Sequence, residues 1–379
     1  MPRYTVIIHT PQELNHSSYI QTGLFELEQQ GLLLVKVQLS LKKNRGTLTV
    51  DEKGTISKIT RAQPKTSFYS LIDTASKKRM HFATDLYDFA EHFSDPALQQ
   101  CDFYFKRNFE TRYASALQPK VKAKILPLGI SFGNHSPYKH GGFKFRLGLF
   151  LSNLRLNTKA DSFFFKRLLK TYKFQQRHWR FINTSRDIGR FEALETATDN
   201  TIMFQTRCFL HENTADAKQI HLQRYRLIKL LRKHFPEKFM GGFIPSKVAR
   251  ENYGDALTNV PTEPEAYLDA MKKARIVVYT RGLANSPAWK MAEYLSQGKV
   301  IIAEPLTTEL PVPLTDGKEV LYFHNDAELL DNVQRVLADR HLADSLSKNA
   351  RSYFEDHVHP VKNVKRILEL MLNKPLSQS

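Results

Sequence analysis

Residues 276–293 contain the residue types that would bind a phosphate group beside the end of a strand. An apolar, β-branched run ends at Thr280, and Arg281-Gly282 follow as a turn. Ser286 and Pro287 are typical of the N-cap and the first residue of a helix. Because the free amide groups and the dipole at a helix amino end favour anions, this stretch predicts a phosphate site.

Three further charged side chains could complete such a site. Lys290 and Glu293 are three residues apart and share one helix face, so the cation would meet a diphosphate and the carboxylate a ribose. The spacing alone favours an exposed ion pair between Lys290 and Glu293 over a ligand site, and such a pair contributes less than ~1 kcal/mol to stability. The capped helix and the neighbouring Arg281 give the two interpretations equal weight. Arg207, near the end of the first strand of the second half, could contact the same diphosphate, although a surface arginine without a ligand is commoner.

Strands that alternate with helices must position these residues. We predict an α/β fold: two Rossmann-like, doubly wound parallel-sheet domains that face a cleft. The domain boundaries are expected at 1–190 and 191–358, with a last helix in 359–379 that packs back on the N-terminal domain. Predicted elements of the first half include a strand over 4–9, a helix over 19–30, a hairpin over 50–60, a strand over 67–73 and a helix over 85–92.

The net charge of +18 over 379 residues is concentrated in the first half of the chain. Residues 1–190 contain 31 Lys/Arg and 14 Asp/Glu, a balance of +17, whereas residues 191–379 contain 25 and 24, a balance of +1. The segment 139–190 combines 13 basic side chains with ten aromatic residues and only two acidic ones. The sequence therefore predicts a cationic, aromatic surface within the N-terminal domain.

Three interpretations of the segment 139–190 stay open. Its apolar residues recur at helical spacing, so it fits ordinary core helices with a solvated basic face. A second interpretation, less favoured than core helices, is a basic amphipathic surface that lies on an anionic membrane with its aromatic rings in the interface. Nucleic-acid binding through phosphate contacts and base stacking is the third, although no DNA- or RNA-reading motif is present.

Other features of the sequence limit the class of protein that it can encode. No apolar run approaches the ~18–20 residues of a membrane span, and the start lacks the pattern of a signal peptide. Two cysteines, Cys101 and Cys208, cannot form a disulfide framework and fit a reducing compartment. We therefore expect a cytoplasmic protein that associates peripherally with the inner face of the cytoplasmic membrane.

The run from Lys290 to Pro305 resembles the nucleotide-sugar half of bacterial glycosyltransferases of the GT-B fold, the group 1-like type of cell-surface polysaccharide assembly. Its continuation through Asp316-Gly317, 326–339 and 349–354 is similar to the same group, and the resemblance covers about residues 200–360. In the retaining members, two glutamates eight positions apart flank this helix. This chain has Asn285 at the first of these positions and Glu293 at the second.

The resemblance implies roles for particular residues. Glu293 would bind the ribose of the donor nucleotide, and Arg207 would match the arginine that binds the diphosphate. Lys290 and Arg281 would supplement that arginine. The predicted donor-binding set is completed by three residues of the intervening loop: Gly282, Asn285 and Ser286.

Glycosyl transfer also needs a group that activates the acceptor hydroxyl. An inverting enzyme would use a general base in the first domain. The candidates at strand ends are His16, in the loop after the first strand, and Asp73, with His81 a weaker third. Neither an Asp-x-Asp motif nor a His/Cys cluster with zinc spacing occurs, so a metal-independent mechanism without a cofactor is expected.

The resemblance thus implies transfer of a sugar from a nucleotide-sugar donor to a hydroxyl of a lipid-linked or polysaccharide acceptor, as in lipopolysaccharide or capsule synthesis. The basic N-terminal domain would bind the acceptor against anionic lipid, and no nucleic-acid partner is expected. Three alternatives stay open: a sugar-nucleotide epimerase on the same fold, a nucleic-acid-binding protein, and a pseudoenzyme.

Overall fold

A computed structural model describes most of the chain. The described residues are 2–13, 15–40, 45–62, 65–156, 163–195, 199–209 and 214–377. They form two units: unit 1 comprises residues 1–188, 308–311 and 357–379, and unit 2 comprises 189–307 and 312–356.

The elements of the two units are numbered here in chain order. The strands are β1 (Tyr4–Thr10), β2 (Leu34–Leu39), β3 (Arg45–Val50), β4 (Ile56–Ala62), β5 (Thr66–Asp73), β6 (Arg79–Asp85), β7 (His92–Ser94), β8 (Phe103–Lys106), β9 (Ile125–Pro127), β10 (Asp199–Thr206), β11 (Phe239–Phe243), β12 (Ala274–Tyr279), β13 (Val300–Ala303) and β14 (Leu321–Tyr322). The helices are α1 (Ser18–Gln29), α2 (Asp95–Gln100), α3 (Thr111–Ala114), α4 (Pro119–Lys122), α5 (Gly142–Leu156), α6 (Phe164–Ser185), α7 (Ile188–Glu192), α8 (Ala215–His234), α9 (Lys247–Asn252), α10 (Pro264–Lys273), α11 (Trp289–Ser296), α12 (Asp326–Ala338), α13 (Arg340–Tyr353) and α14 (Pro360–Leu372).

The α/β class is confirmed, but the sheet of unit 1 is mixed rather than wholly parallel. Its strand order among the described residues is β2-β1-β5-β6-β8-β9. The β1–β5 and β5–β6 pairs are antiparallel, and the other neighbours are parallel. The short turn between Asp73 and Arg79 explains the β5–β6 hairpin, because parallel strands need a longer crossover. A smaller sheet, β4-β3-β7, contains the hairpin expected over 50–60.

The helix expected over residues 85–92 is a loop. Asp85 accepts a hydrogen bond from the backbone N–H of Tyr87 at 3.0 Å, which bends the chain directly after β6. The buried ammonium of Lys106 donates to the carbonyls of Phe89 and His92 and to the Asp85 carboxylate at 3.0 Å. A lysine that uses those carbonyls as acceptors favours a loop over a helix, where they would bond within the backbone.

The last helix, α14, packs on α1 inside unit 1. A Cβ at Gly23 of α1 would lie 2.4 Å from the carbonyl oxygen of Pro360, so only glycine permits this approach. Tyr19 donates a hydrogen bond to the carbonyl of Val358 at 2.6 Å, and Asn363 donates to the carbonyl of Leu128 at 2.9 Å. These hydrogen bonds connect the C-terminal segment to α1 and to the residue that follows β9.

The sheet of unit 2 is parallel throughout its described strands, in the order β11-β10-β12-β13-β14. Alternate residues of β10, β12 and β13, such as Phe204 and Val278, pack with apolar residues of α8 and α12. The residues between them, such as Met203 and Val277, are fully buried and point to the other face. Helices therefore cover both faces, as expected for a doubly wound sheet.

No helix among the residues that the structure describes is long and apolar enough to cross a membrane.

Candidate functional site

The strand order of unit 2 reverses between β10 and β12. From β10 the chain goes to β11 on one side, and it returns to β12 on the other side. Ligands of doubly wound sheets bind at the carboxyl ends of the strands beside such a reversal. Arg207 follows β10 here, Thr280 and Arg281 follow β12, and Glu304 follows β13.

Arg224, a buried residue of α8, connects the two strand ends. Its guanidinium donates to the carbonyl of Arg207 at 2.9 Å, to the carbonyl of Arg281 at 3.0 Å and to the hydroxyl of Thr280 at 3.2 Å. It also lies over the ring of Phe209 at 5.3 Å. A planar donor with five N–H groups suits this arrangement, because one side chain then fixes the spacing of two adjacent strand ends.

Burial lowers the pKa of Arg224 to about 10, and the neighbouring charge of Arg207 adds to the effect. The sequence interpretation missed this residue. A signal was available, since Ile220, Arg224, Leu227 and Leu231 recur on one buried face of α8, and an arginine on such a face needs internal acceptors.

The guanidinium of Arg207 is exposed at the end of β10. It forms no ion pair or side-chain hydrogen bond with any residue that the structure describes. It lies close enough to Arg224 to lower that pKa, so the edge of the sheet has two neighbouring cations. This is the charge distribution that an anionic ligand would neutralise.

Arg281, in contrast, has partners on α8. Its guanidinium donates to Asp216 at 2.6 Å and to Gln219 at 3.3 Å, and its backbone N–H donates to Glu304 at 2.9 Å. Asp216 also accepts the backbone N–H of Ala284 at 2.9 Å. The positive charge of Arg281 is therefore partly compensated, and the residue holds the loop after β12 in place.

The expected helix start at Ser286 and Pro287 is wrong. Helix α11 begins at Trp289, with Ala288 as an N-cap that has no side-chain acceptor. The phenol of Tyr279 accepts the backbone N–H of Ala288 at 2.8 Å and takes the place of a capping side chain. The preceding turn competes with the helix, because the carbonyl of Ser286 accepts the N–H of Gly282 at 3.0 Å.

That turn depends on unusual backbone angles. Ala284 and Asn285 both have positive φ, of 52° and 56°. A Cβ at Gly282 would lie 2.7 Å from the carbonyl oxygen of buried Ser286, so a larger residue would displace the turn. Left-handed alanine costs of order 1 kcal/mol or more, and such strain is often found beside ligand sites.

Lys290 and Glu293 both lie on α11, as predicted. The ammonium of Lys290 donates to the phenol of Tyr267 at 2.6 Å and lies 4.2 Å from the centre of that ring. Glu293 is only 5 % exposed. The exposed ion pair that spacing alone favoured is therefore not what the structure contains, since the carboxylate is buried and the lysine contacts a tyrosine of α10.

A pocket of about 410 Å³ opens beside the same edge of the sheet. It lies between α8 and the loops after β12 and β13. Its walls are formed by Gln219, Leu222, Gln223, Arg226, Arg281 and Glu304. The lining offers amide, guanidinium and carboxylate groups, which suits a polar ligand with both hydroxyl groups and negative charge.

Of the candidate bases in unit 1, His16 has the geometry of an oriented imidazole. Its Nδ1 lies 3.2 Å from the carboxylate of Glu13, which also accepts the backbone N–H of His16 at 2.7 Å. Burial raises the pKa of Glu13, but the charge and hydrogen bonds of His16 outweigh this and hold it at about 2. Burial lowers the pKa of His16, and Glu13 only partly opposes the shift.

The imidazole is thus neutral at pH 7, and a proton on Nδ1 directed at Glu13 makes Nε2 the basic nitrogen. Three more charged residues lie at this end of the sheet. Lys65 contacts Asp88 at 2.6 Å, and the buried guanidinium of Arg107 contacts the other oxygen of the same carboxylate. The sequence interpretation named His16 without Glu13, its hydrogen-bond partner, and without the nearby carboxylate of Asp88.

Asp73 lies at the opposite end of the sheet from His16. Because β5 runs antiparallel to β1, Asp73 pairs with Tyr4 at the start of β1, whereas His16 follows its end. Arg3 binds the Asp73 carboxylate through two hydrogen bonds, of 2.7 and 3.0 Å, and the backbone N–H of Ala75 adds a third. These bonds, Arg3 first, hold the pKa of Asp73 far below its usual range, which makes it a poor base at neutral pH.

His81, the weaker candidate, lies within the sheet. Its Nδ1 is 2.9 Å from the hydroxyl of buried Ser70, which is also 2.7 Å from Nε2 of His9. The structure therefore separates the three candidates: only His16 combines a strand end with an orienting carboxylate. Among the described residues, no cluster of three or more His, Cys, Asp or Glu side chains could hold a metal ion.

Residues 224–369 match a family model described as glycosyl transferase-like. The match begins at Arg224 and includes the segment around α11, so the resemblance seen in the sequence is confirmed over this region. No curated protein matches the chain.

Several solved structures have a low similarity to this chain. An alpha-glucosyltransferase in complex with UDP-glucose and DNA containing an abasic site is 11 % identical, over 97 % of this chain and 100 % of that one, with a TM-score of 0.41. A co-structure of S. aureus MnaA with UDP is 12 % identical over 76 % and 65 %, with a TM-score of 0.34. The C-terminal domain of a group 1 glycosyl transferase (LpcC) from Francisella tularensis is 11 % identical over 41 % and 84 %, with a TM-score of 0.30. Similarities this low carry no inference about substrates.

Proposed function

We propose that this chain is a glycosyltransferase that uses a nucleotide-sugar donor, and that the donor's diphosphate binds at the carboxyl edge of the unit 2 sheet. The observation that carries the proposal is the exposed guanidinium of Arg207, held beside Arg224 at the point where the strand order reverses. The family match over residues 224–369 supports the class of reaction.

The chemistry fits this arrangement. Negative charge grows on the leaving nucleoside diphosphate as the glycosidic bond breaks, so cations fixed at that position act most strongly in the transition state. Arg207 is the primary contact of the diphosphate, with Lys290 and Arg281 as supplementary cations and the loop of Gly282, Asn285 and Ser286 around it. These cations would stabilise the negative charge that a bound metal ion stabilises in metal-dependent reactions. We therefore propose a metal-independent reaction without a cofactor.

The ribose of the donor is assigned to Glu293. A carboxylate accepts two hydrogen bonds from a vicinal diol, and burial strengthens those bonds by excluding water. Glu293 is 5 % exposed, so few water molecules have to leave its carboxylate when the ribose binds. This assignment rests on the family resemblance together with the position of Glu293 on α11.

His16 is the base that we propose for the acceptor hydroxyl. Its neutral Nε2 can take the hydroxyl proton, and the Glu13 carboxylate then stabilises the imidazolium that results. Asp73 is the alternative in the sequence interpretation, but the Arg3 contact stabilises its ionised form and weakens it as a base. Loss of transfer in His16→Gln with unchanged donor binding is the expected result.

We also propose that the acceptor is lipid-linked or part of a surface glycan, and that α6 contacts an anionic membrane. The solvent-facing side of α6 contains the basic residues Lys166, Lys170, Lys173, Arg177 and Arg180. Phe165 and Phe174 of the same helix are 78 % and 63 % exposed. A helix with no acidic residue, a basic stripe and exposed rings is typical of interfacial binding, which supports a peripheral location.

Calorimetry with nucleoside diphosphates tests the donor site. UDP, GDP and CDP are titrated into the protein beside the corresponding nucleosides and CMP. We expect one diphosphate to bind and its nucleoside to bind at least tenfold more weakly. Arg207→Ala should raise the Kd about tenfold to a hundredfold, because one charge-assisted contact is worth about 1.5–3 kcal/mol.

Arg250→Ala is the matched control, since Arg250 is an exposed arginine of α9 in the same unit. Its Kd should stay within twofold of the wild type. Equal losses in both variants, or equal affinity for nucleoside and diphosphate, would refute the diphosphate site.

One turnover assay and one binding assay separate the alternatives. Turnover of the sugar nucleotide without any acceptor would indicate an epimerase instead. Tight, steeply salt-dependent binding of short oligonucleotides, with no stabilisation by nucleoside diphosphates, would indicate a nucleic-acid-binding protein.

Flotation with lipid vesicles tests the membrane contact. Binding should be stronger to anionic than to neutral vesicles and should fall in Lys170→Glu/Lys173→Glu. Lys233→Glu/Lys348→Glu makes the same change of charge on exposed residues of unit 2 and should bind as the wild type does. No preference for anionic lipid would refute this part of the proposal.

A further inference from the structure

A second pocket, distinct from the one in unit 2, lies within unit 1. It has a volume of about 350 Å³ and is formed by the loop before α5 and by the last part of α6. Its polar lining residues are His135, Ser136, Lys139, Trp179 and Asn183. The volume falls at the lower end of the ~300–1,000 Å³ typical of small-molecule sites, which is more than a free inorganic ion needs.

Lys139 brings a positive charge into this pocket without a carboxylate beside it. Its ammonium forms no ion pair with the residues that the structure describes, and it lies 5.2 Å from the centre of the Phe145 ring. Burial alone lowers the pKa of Lys139 to about 8. A desolvated ammonium without a counter-charge is costly, and an anionic ligand would remove that cost.

Trp179 offers a hydrogen-bond donor in the same place. Its Nε1 is buried and has no acceptor among the described residues. The guanidinium of Arg146 lies over the indole, 5.6 Å from its centre, and adds a second positive charge. An indole N–H can only donate, so the missing partner must be an acceptor.

The remaining polar groups are already engaged. Ser136 donates to Glu26 at 2.6 Å, and Asn183 donates to the carbonyl of Trp179 at 2.6 Å. Nε2 of His135 lies 3.9 Å from Asp187. The groups left to a ligand are therefore a cation and an N–H donor, with a flat aromatic surface beside them.

We propose that this pocket binds an acidic sugar through its phosphate or carboxylate group, with Lys139 and the Trp179 N–H as the contacts of the oxyanion. The indole face suits the apolar face of a sugar ring. If the function proposed above holds, the acidic sugar belongs to the acceptor, and the pocket selects acceptors that bear a negative charge. Binding of the sugar itself does not depend on that function.

Indole NMR signals provide a direct test, because the chain has two tryptophans, Trp179 in unit 1 and Trp289 in unit 2. The ¹⁵N-labelled protein is titrated at constant ionic strength and without a donor with glucose 6-phosphate, glucuronate or neutral glucose. The Trp179 N–H signal, assigned through Trp179→Phe, should shift in a saturable manner with at least one acidic sugar. The Trp289 signal and the titration with glucose should show no such change.

Lys139→Met keeps the apolar stem of the side chain and should weaken binding at least tenfold. Lys120→Met removes the same charge from an exposed position of α4 in unit 1 and should change the Kd less than twofold. Trp179→Phe keeps most of the ring and removes the donor, and calorimetry on this folded variant should show weaker binding.

Three results would overturn the proposal: no saturable shift with either acidic sugar, an equal shift with glucose, or equal effects of Lys139→Met and Lys120→Met. Its failure is distinguishable from failure of the proposed function, because these titrations contain no donor. A protein that binds nucleoside diphosphate through Arg207 but gives none of these shifts retains its donor site and lacks the acidic-sugar pocket.

Discussion

Replacement of Arg224 by methionine tests whether one buried side chain sets the geometry of the proposed donor site. Methionine is similar in length and apolar, so it fills much of the space and adds no new polar group. It removes three hydrogen bonds, to the Thr280 hydroxyl and to the carbonyls of Arg207 and Arg281. The ends of β10 and β12 then lose the group that connects them.

The expected loss of stability follows from those three acceptors. A buried acceptor left without a donor costs about 1–3 kcal/mol. The two carbonyls lie in partly buried positions that water can reach, so the low end of that range applies and the total is about 3 kcal/mol. Removal of a desolvated charge offsets part of this loss. A displaced Arg207 would lose its charge-assisted contact with the phosphate, worth about 1.5–3 kcal/mol, so we expect the Kd for nucleoside diphosphate to rise tenfold to a hundredfold.

Urea unfolding measures the first effect and calorimetry the second. In a Trp179→Phe background, the fluorescence of Trp289 reports on unit 2 alone. Lys218→Met removes a charge from an exposed position of the same helix and should change the free energy of unfolding by less than about 0.5 kcal/mol. If Arg224→Met matched that control in both measurements, the claim that Arg224 positions the site would be wrong.

Three further changes have definite expected outcomes. Glu293→Gln keeps the shape of the buried side chain but removes its charge, so calorimetry should show a Kd for nucleoside diphosphate about tenfold higher; an unchanged Kd would exclude the ribose contact. Glu13→Gln removes a carboxylate that raises the pKa of His16, so the acidic limb of the plot of transfer rate against pH should move to lower pH. An acidic limb that stays in place would argue against His16 as the base. Gly23→Ala inserts a Cβ 2.4 Å from the carbonyl oxygen of Pro360, so the free energy of unfolding of unit 1 in urea should fall by about 1–3 kcal/mol. An unchanged midpoint would mean that α14 does not pack on α1 as described.

The α/β class could be predicted because buried strands have a strong local signal. The β-branched run that forms β12 and the apolar start that forms β1 both lie where the sequence indicated. The direction of β5 could not be predicted in the same way, since strand pairing is decided by connections and register rather than by local pattern. The expected helix over 85–92 failed for a related reason: Lys106, far along the chain, holds those carbonyls.

The residues proposed for the donor site were chosen by their types and spacing, but their local structure could not be predicted in this way. Ser286 has the character of an N-cap, yet its carbonyl belongs to a turn and the phenol of Tyr279 meets the first free N–H of α11. Arg281 was expected to face a ligand, but its ion pair with Asp216 on α8, which partly compensates its charge, was not foreseen. Such contacts join residues that are distant in sequence, so a single chain read in order does not reveal them. Arg224 is the exception, because a cation on the apolar face of a helix is visible in sequence.

A crystal structure with the nucleoside diphosphate that binds tightest tests the central claim most directly. We expect the phosphate oxygens within hydrogen-bonding distance of the Arg207 guanidinium, at the carboxyl ends of β10 and β12. Phosphates bound away from that edge, for example against Lys139 in unit 1, would contradict it.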